Sequence, residues 1–198
     1  MRSFSGVVLL LAVWPAAAAA QAAPVPLWRA GAAVSANLLI GGGGDVLDGG
    51  LGVGALVQRH VAGPVWARGD VWLLSLSGAA GPGETADNTL TWFGVGPQVE
   101  FGGGLLMGYV RGVAGVARNT QSRTGSSLPQ ESSSAAVVGG GLGGRIRLAS
   151  GRTAAAVDLG FDLLSTGDLK FARSEDSGGG PKTSATTFAP RLGLTLSF

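Results

Sequence analysis

The chain closes on RLGLTLSF, residues 191 to 198. Leu192, Leu194, Leu196 and Phe198 fall on one face of an extended segment, and Arg191, Gly193, Thr195 and Ser197 fall on the other. Successive side chains of a strand point to opposite faces, so a strict two-residue period marks a strand with one apolar and one polar side rather than a frayed tail. Such a strand needs a partner along each edge and a medium for its apolar face. The same alternation recurs upstream, and the recurrence sets the fold.

Eight candidate strands emerge. The first covers Trp28 to Leu38, with a pattern weakened by Gly and Ala. The second, Gly50 to Gln58, sets Leu51, Val53, Ala55 and Val57 on one face. In the third, Val65 to Leu76, Ala67, Val71 and Leu73 oppose Arg68, Asp70 and Trp72. The fourth, Leu90 to Phe101, opposes Phe93, Val95, Val99 and Phe101 to Trp92, Gly94, Gly96, Gln98 and Glu100. Pro97 lies within it and predicts a bulge or local irregularity, because proline cannot donate to a ladder. The fifth, Leu105 to Ala117, has an open phase: with Arg111 inward, Val110, Ala114 and Val116 face out, but Tyr109 turns inward too. The sixth, Ala136 to Leu148, opposes Val138, Leu142, Ile146 and Leu148 to Arg145 and Arg147. The seventh, Ala154 to Leu164, opposes Ala155, Val157, Leu159, Phe161 and Leu163 to Asp158, Gly160 and Asp162. The eighth runs from Thr186 to Phe198.

The connections alternate in length. Long ones fall near 39–49, 77–89, 118–135 and 165–185, and short ones near 59–64, 102–104 and 149–153. A transmembrane barrel with both ends on the inner side shows this asymmetry of short turns and long loops. Strands of this length cross a bilayer when tilted, and in lipid they must close on themselves to satisfy every backbone group. A soluble β-sandwich also alternates. Against it, the apolar faces extend to the chain terminus without interspersed charge. The expectation is all-β, an eight-stranded antiparallel up-and-down transmembrane β-barrel.

Residues 1 to 22 read as a secretory signal peptide, with Arg2 as the positive n-region, Val7 to Val13 as the apolar core and Ala20-Gln21-Ala22 as a small-residue cleavage site before Ala23. An uncleaved membrane helix is the alternative, disfavoured because the core falls short of roughly 20 apolar residues and Pro15 follows it. Residues 23–198 then form the barrel domain, with no linker to a second one. The formal charge of +2 includes Arg2, so the excess is small and points to no nucleic-acid partner. The absence of cysteine excludes disulfides, thiol chemistry and a lipidated cysteine. Glycine is abundant at 36 residues, but without a collagen period, and crowded curved strands tolerate it.

The alternation, the terminal Phe198, the export signal and the long and short loops together resemble the small eight-stranded outer-membrane proteins of Gram-negative bacteria, the OmpA-like β-barrel superfamily. The resemblance covers almost all of 23–198. It implies residence in the cell outer membrane among its lipids, and that Leu192, Leu194, Leu196 and Phe198 form the signal read by the barrel assembly machinery. The sequence departs from the pattern in its thin aromatic girdles: Phe93, Phe101, Phe161, Phe188 and Phe198 are candidates, while Trp72 and Trp92 fall on inward faces.

Nine charged residues are expected inside: Arg68, Asp70, Glu100, Arg111, Arg145, Arg147, Asp158, Asp162 and Arg191. A narrow lumen cannot leave them unpaired, so an ion-pair network is expected, with Arg145 or Arg147 meeting Asp158 or Asp162, and Glu100 meeting Arg111. The network would fill and tie the barrel; the other reading is a gated polar conduit. Gly139 to Gly144 formally contain a dinucleotide-binding glycine pattern, but inside a strand rather than at a strand–helix turn. His60, the sole histidine, falls in a predicted turn with no metal-ligand cluster. No catalytic, metal or cofactor site is expected, although Asp168, Glu175 and Asp176 leave an acid–carboxylate site in the last long loop as an alternative. The leading expectation is a non-enzymatic outer-membrane protein with a structural or surface-interaction role and an unidentified extracellular ligand. A small-solute channel and a lipid-modifying enzyme are the alternatives.

Overall fold

The computed structural model describes residues 26–40, 47–78, 85–124, 132–149, 153–170 and 182–198. Within them are eight strands: β1 (Trp28–Ile40), β2 (Leu47–Ala62), β3 (Val65–Gly78), β4 (Thr85–Gly103), β5 (Leu106–Thr124), β6 (Ser132–Arg147), β7 (Ala154–Lys170) and β8 (Lys182–Ser197). Each pairs antiparallel with its chain neighbour, and β8 pairs back to β1, so the sheet is a closed barrel. The seam is zipped to its end: Trp28 and Phe198 exchange backbone hydrogen bonds of 3.1 and 3.0 Å. The signal-peptide reading concerns 1–22, outside the described residues.

The row of paired residues that leaves β1 at Ala30 passes through Val57, Gly69, Val95, Ala114, Val138, Ser165 and Thr186. It returns to β1 at Ile40, ten residues further up the strand, which is a shear of 10. Eight strands with this stagger tilt by about 40° and enclose an interior that side chains fill. At one end, two-residue turns join the strands at Gly63-Pro64 and Gly104-Leu105. Gly63 and Gly104 take φ of +51° and +70°, the first central position of a II′ hairpin, where glycine carries no steric cost. This is the turn end; the opposite end is the loop end.

The outward face is apolar from the turn end upward except for Arg59 on β2, whose guanidinium lies 5.5 Å over the Trp28 ring at the turn-end rim. Val53, Leu73, Phe93, Val116, Val138 and Leu163 stand exposed on it, as does the terminal series Leu192, Leu194, Leu196 and Phe198. On β8 the belt runs from Phe188 to Phe198. Ten residue steps of roughly 3.3 Å, tilted by about 40°, make it about 25 Å tall, the height of a lipid-facing band. A surface this apolar is built for hydrocarbon rather than water.

Above the belt the outward residues turn polar: Ser75 on β3, Thr89 on β4, Arg118 on β5, Ser134 on β6 and Ser165 on β7. The strands therefore rise past the lipid as a collar. This corrects the expected strand limits. β4 starts at Thr85 rather than Leu90, β5 reaches Thr124, β6 starts at Ser132, β7 reaches Lys170 and β8 starts at Lys182. Those extensions carry polar outward residues, which look like loop composition although the segments are strand.

Three local expectations change. His60 is not in a turn but in β2, which runs to Ala62. Pro97 makes no bulge: the register is the same on either side of it, Val95↔Ala114 and Gln98↔Arg111. Its ring faces outward toward Gly112, whose missing side chain leaves room. The phase of β5 resolves with both Arg111 and Tyr109 inward and buried. A bulge does occur in β7, where Gly167 and Asp168 together oppose one residue of β8. It turns Asp168 outward and Leu169 inward.

Candidate functional site

The site to be explained is the lumen. Its turn end is floored by Trp66, with the Arg29 guanidinium 3.5 Å from the ring centroid and the His60 ring edge-on at 5.1 Å. His60 Nε2 lies 2.9 Å from the Gly63 carbonyl oxygen, which ties the end of β2 to the turn that follows it.

Two chains of ion pairs rise from this floor. In the first, Glu100 Oε1 accepts from Arg29 and, at 2.6 Å, from Arg145. Arg145 Nε then donates to Asp158 Oδ1 at 2.9 Å, and Thr195 Oγ1 donates to Asp158 Oδ2 at 2.7 Å. In the second, Arg68 grips Asp70 with Nε and Nη2 at 2.9 and 2.7 Å. Arg111 reaches across to Asp70 Oδ2 at 2.6 Å and holds Asp162 with Nε and Nη2 at 2.8 and 2.5 Å. Arg191 ends this chain, with Nε 3.4 Å from Asp162 Oδ2 and Nη2 donating to the Tyr109 hydroxyl at 2.9 Å.

Two buried amides join the chains. Gln98 Oε1 accepts from Arg68 Nη1 at 3.0 Å and from Gln58 Nε2 at 2.9 Å, while Gln98 Nε2 donates to Glu100 at 3.0 Å. Fork-shaped guanidinium–carboxylate pairs of this kind are the strongest hydrogen bonds available to side chains.

Of the nine charged residues expected inside, eight belong to these chains. Arg147 is half-buried at the turn-end rim and makes none of these contacts among the described residues. The expected Glu100–Arg111 pair does not form. The β4–β5 register sets Glu100 opposite Tyr109 and Arg111 opposite Gln98, so Glu100 turns to Arg29 and Arg145 instead. Arg29 was missed in sequence. Its signal was the inward phase it shares with Ser35 and Asn37, diluted by Gly and Ala between them.

The glycines of β6 gain a reason. A side chain on Gly141 would collide with the Asp162 carboxylate, and one on Gly143 with the Tyr109 hydroxyl. Gly141 and Gly143 therefore clear the wall behind the arginine–aspartate chain, and the run 139–144 lies within a strand rather than at a phosphate-binding turn.

Toward the loop end the lumen changes character. Trp72 and Trp92 stack with centroids 6.2 Å apart and planes 14° apart. Leu74, Leu76, Leu90, Val137, Leu164 and Leu169 close around them in one buried cluster. These side chains lie at and above the edge of the outer belt: Leu74 precedes outward Ser75, and Leu90 stands between outward Thr89 and Thr91. The barrel is thus inverted along its axis. In the belt it is apolar outside and ionic inside; the collar is polar outside and holds this apolar cluster inside, beside the buried amides of Asn88, Asn119 and Gln121. The collar needs an oily core of its own because water surrounds it. Among the described residues, no three His, Cys, Asp or Glu side chains group to hold a metal ion.

No protein-family model and no curated protein matches the chain. Solved structures do. The crystal structure of Neisserial surface protein A (NspA) superposes with a TM-score of 0.63 at 10% identity, covering 86% of this chain and 97% of that one. Ail, the attachment invasion locus protein of Yersinia pestis, gives 0.55 at 12% identity, covering 86% and 97%. The outer membrane protein OprG from Pseudomonas aeruginosa gives 0.51 at 14%, covering 86% and 94%. The fold is the closed eight-stranded barrel of small outer-membrane proteins.

Proposed function

We propose that this chain is an integral protein of the bacterial outer membrane, held in its lipids by the apolar belt, with a structural or surface-interaction role and no enzymatic one. One observation carries the reading: ion pairs cross the lumen in the belt, and a buried apolar cluster stands above them in the collar. That suits an anchor better than a conduit. Continuous water is needed for a conducting path, and a stacked Trp72–Trp92 pair among leucines would expel it. The collar is the surface offered to an extracellular ligand, since it stands clear of the lipid.

For lipid chemistry the described residues offer little. Asp168 points outward on the collar, and Glu175 and Asp176 lie outside the described residues. The network of Arg68, Asp70, Glu100, Arg111, Arg145, Asp158, Asp162 and Arg191 then serves to tie opposite walls together. The face of Leu192, Leu194, Leu196 and Phe198 serves as the strand presented to the barrel assembly machinery.

Two measurements test this. Membrane-extracted protein should shift its gel migration on boiling and have the intact mass of a chain beginning at Ala23; a water-soluble protein overturns the reading. Purified barrels in planar bilayers should stay silent over long recordings, and a steady ionic current would replace the anchor with a channel. For the assembly face, deletion of Phe198 should lower the folded fraction in cells more than in refolding from urea.

A further inference from the structure

The buried ionic layer does not balance. Its two chains hold five arginines, Arg29, Arg68, Arg111, Arg145 and Arg191, against four carboxylates, Asp70, Glu100, Asp158 and Asp162. The first chain is neutral, with Arg29 and Arg145 against Glu100 and Asp158. The second sets Arg68, Arg111 and Arg191 against Asp70 and Asp162, so the excess charge lies there.

The geometry places that excess on Arg191. Arg68 has both oxygens of Asp70, and Arg111 is bonded to two carboxylates. Arg191 has only the far side of an occupied one. Asp162 Oδ2 already accepts from Arg111 at 2.5 Å, and the Arg191 Nε beside it, at 3.4 Å, has no hydrogen-bond partner. The Tyr109 hydroxyl accepts from Nη2 but is neutral. The side chain is 3% exposed, so bulk water does not solvate the charge. A guanidinium so placed inside a membrane-spanning wall is costly unless something compensates it.

We propose that Arg191 holds a small monovalent inorganic anion of the halide class inside the lumen. The second donor is Ser35. It is the cross-strand neighbour of Arg191 on β1, it is buried, and its oxygen accepts from Asn37 at 3.0 Å while its own proton is not used. A guanidinium N–H and a hydroxyl, with no unengaged carboxylate beside them, form a donor-only corner. A water molecule satisfies the donors but not the charge; a halide does both. The other cross-strand neighbour, Gly160, faces the Tyr109 hydroxyl, which leaves the Ser35 side for the ion and limits its size.

The test uses the full barrel in zwitterionic phospholipid vesicles, unfolded by urea and read by tryptophan fluorescence. Sodium chloride is titrated against sodium gluconate at matched ionic strength. The unfolding midpoint should rise with chloride and not with gluconate. Past half-saturation, the folding constant should rise about tenfold for each tenfold in chloride, the linkage slope of one site. Arg191→Met removes the excess charge and leaves Asp162 with Arg111; it should fold and lose the chloride response. Ser35→Ala, which changes no charge, should move the titration to higher chloride. A crystal grown in bromide should show an anomalous peak at Arg191 Nε. Equal midpoints in the two salts, a chloride response retained in Arg191→Met, or no bromide peak would each overturn the site.

Discussion

At the scale of single residues, position relative to the wall decides what a substitution does. Gly141 and Gly112 are both strand glycines, one on each side of the sheet. A Cβ on Gly141 meets the Asp162 carboxylate and lies 2.6 Å from the Phe161 carbonyl oxygen, whereas one on Gly112 meets only the Pro97 ring, at 3.8 Å. Gly141→Ala should therefore cost about 1–3 kcal/mol through overpacking. Gly112→Ala should be neutral or gain about 0.4–1 kcal/mol from a stiffer unfolded chain. Urea unfolding in vesicles separates them. Among the described residues, Arg111 alone bonds both Asp70 and Asp162. Arg111→Met leaves both under-compensated in a buried layer and should cost about 3–5 kcal/mol or block folding. Matching stabilities of Arg111→Met and the parent in the same assay would remove the network from any account of how the walls are tied.

At the scale of strands, the two-residue period made the order of all eight and the facing of most legible, because lipid favours apolar residues on the outward positions of the belt; the phase of β5 stayed open until Tyr109 and Arg111 were both found inward. Leu159, Phe161 and Leu163 on β7 are as clear in sequence as in space. The collar was not legible, because its polarity is reversed. Outward Thr89 and Ser165 resemble loop residues, and inward Leu90 and Leu164 resemble more of the belt. Nor do ion pairs across the lumen follow from strand order. Arg145 and Asp158 are register partners on adjacent strands, but Arg111 with Asp70 and Arg29 with Glu100 meet only once tilt and shear have set their heights. The bulge in β7 belongs to this scale as well. Deleting Gly167 should restore strict alternation, turning Asp168 inward and Leu169 outward. The chain has no cysteine of its own, so a cysteine placed at 169 reports the flip: inert to a membrane-impermeant maleimide in the parent, labelled in the deletion.

At the scale of the whole molecule, the barrel divides between two surroundings at a fixed height, and the cost of a charge should change there. Leu192 lies midway between polar Thr186 and the rim residue Phe198 on β8. Leu192→Arg should cost about 2–4 kcal/mol, while Thr89→Arg on the collar should cost under about 1 kcal/mol. Equal costs in vesicle unfolding would mean that the belt does not lie in lipid. The seam between β1 and β8 has a kinetic consequence. Every other pairing joins strands adjacent in the chain, but this one brings Trp28 to Phe198. Until both are present, β1 exposes a long open edge and the curved sheet has nothing to close against. Loop closure over such a separation is slow. A translocating chain thus gains little from folding piecemeal, and must be kept from aggregating until its last strand has crossed.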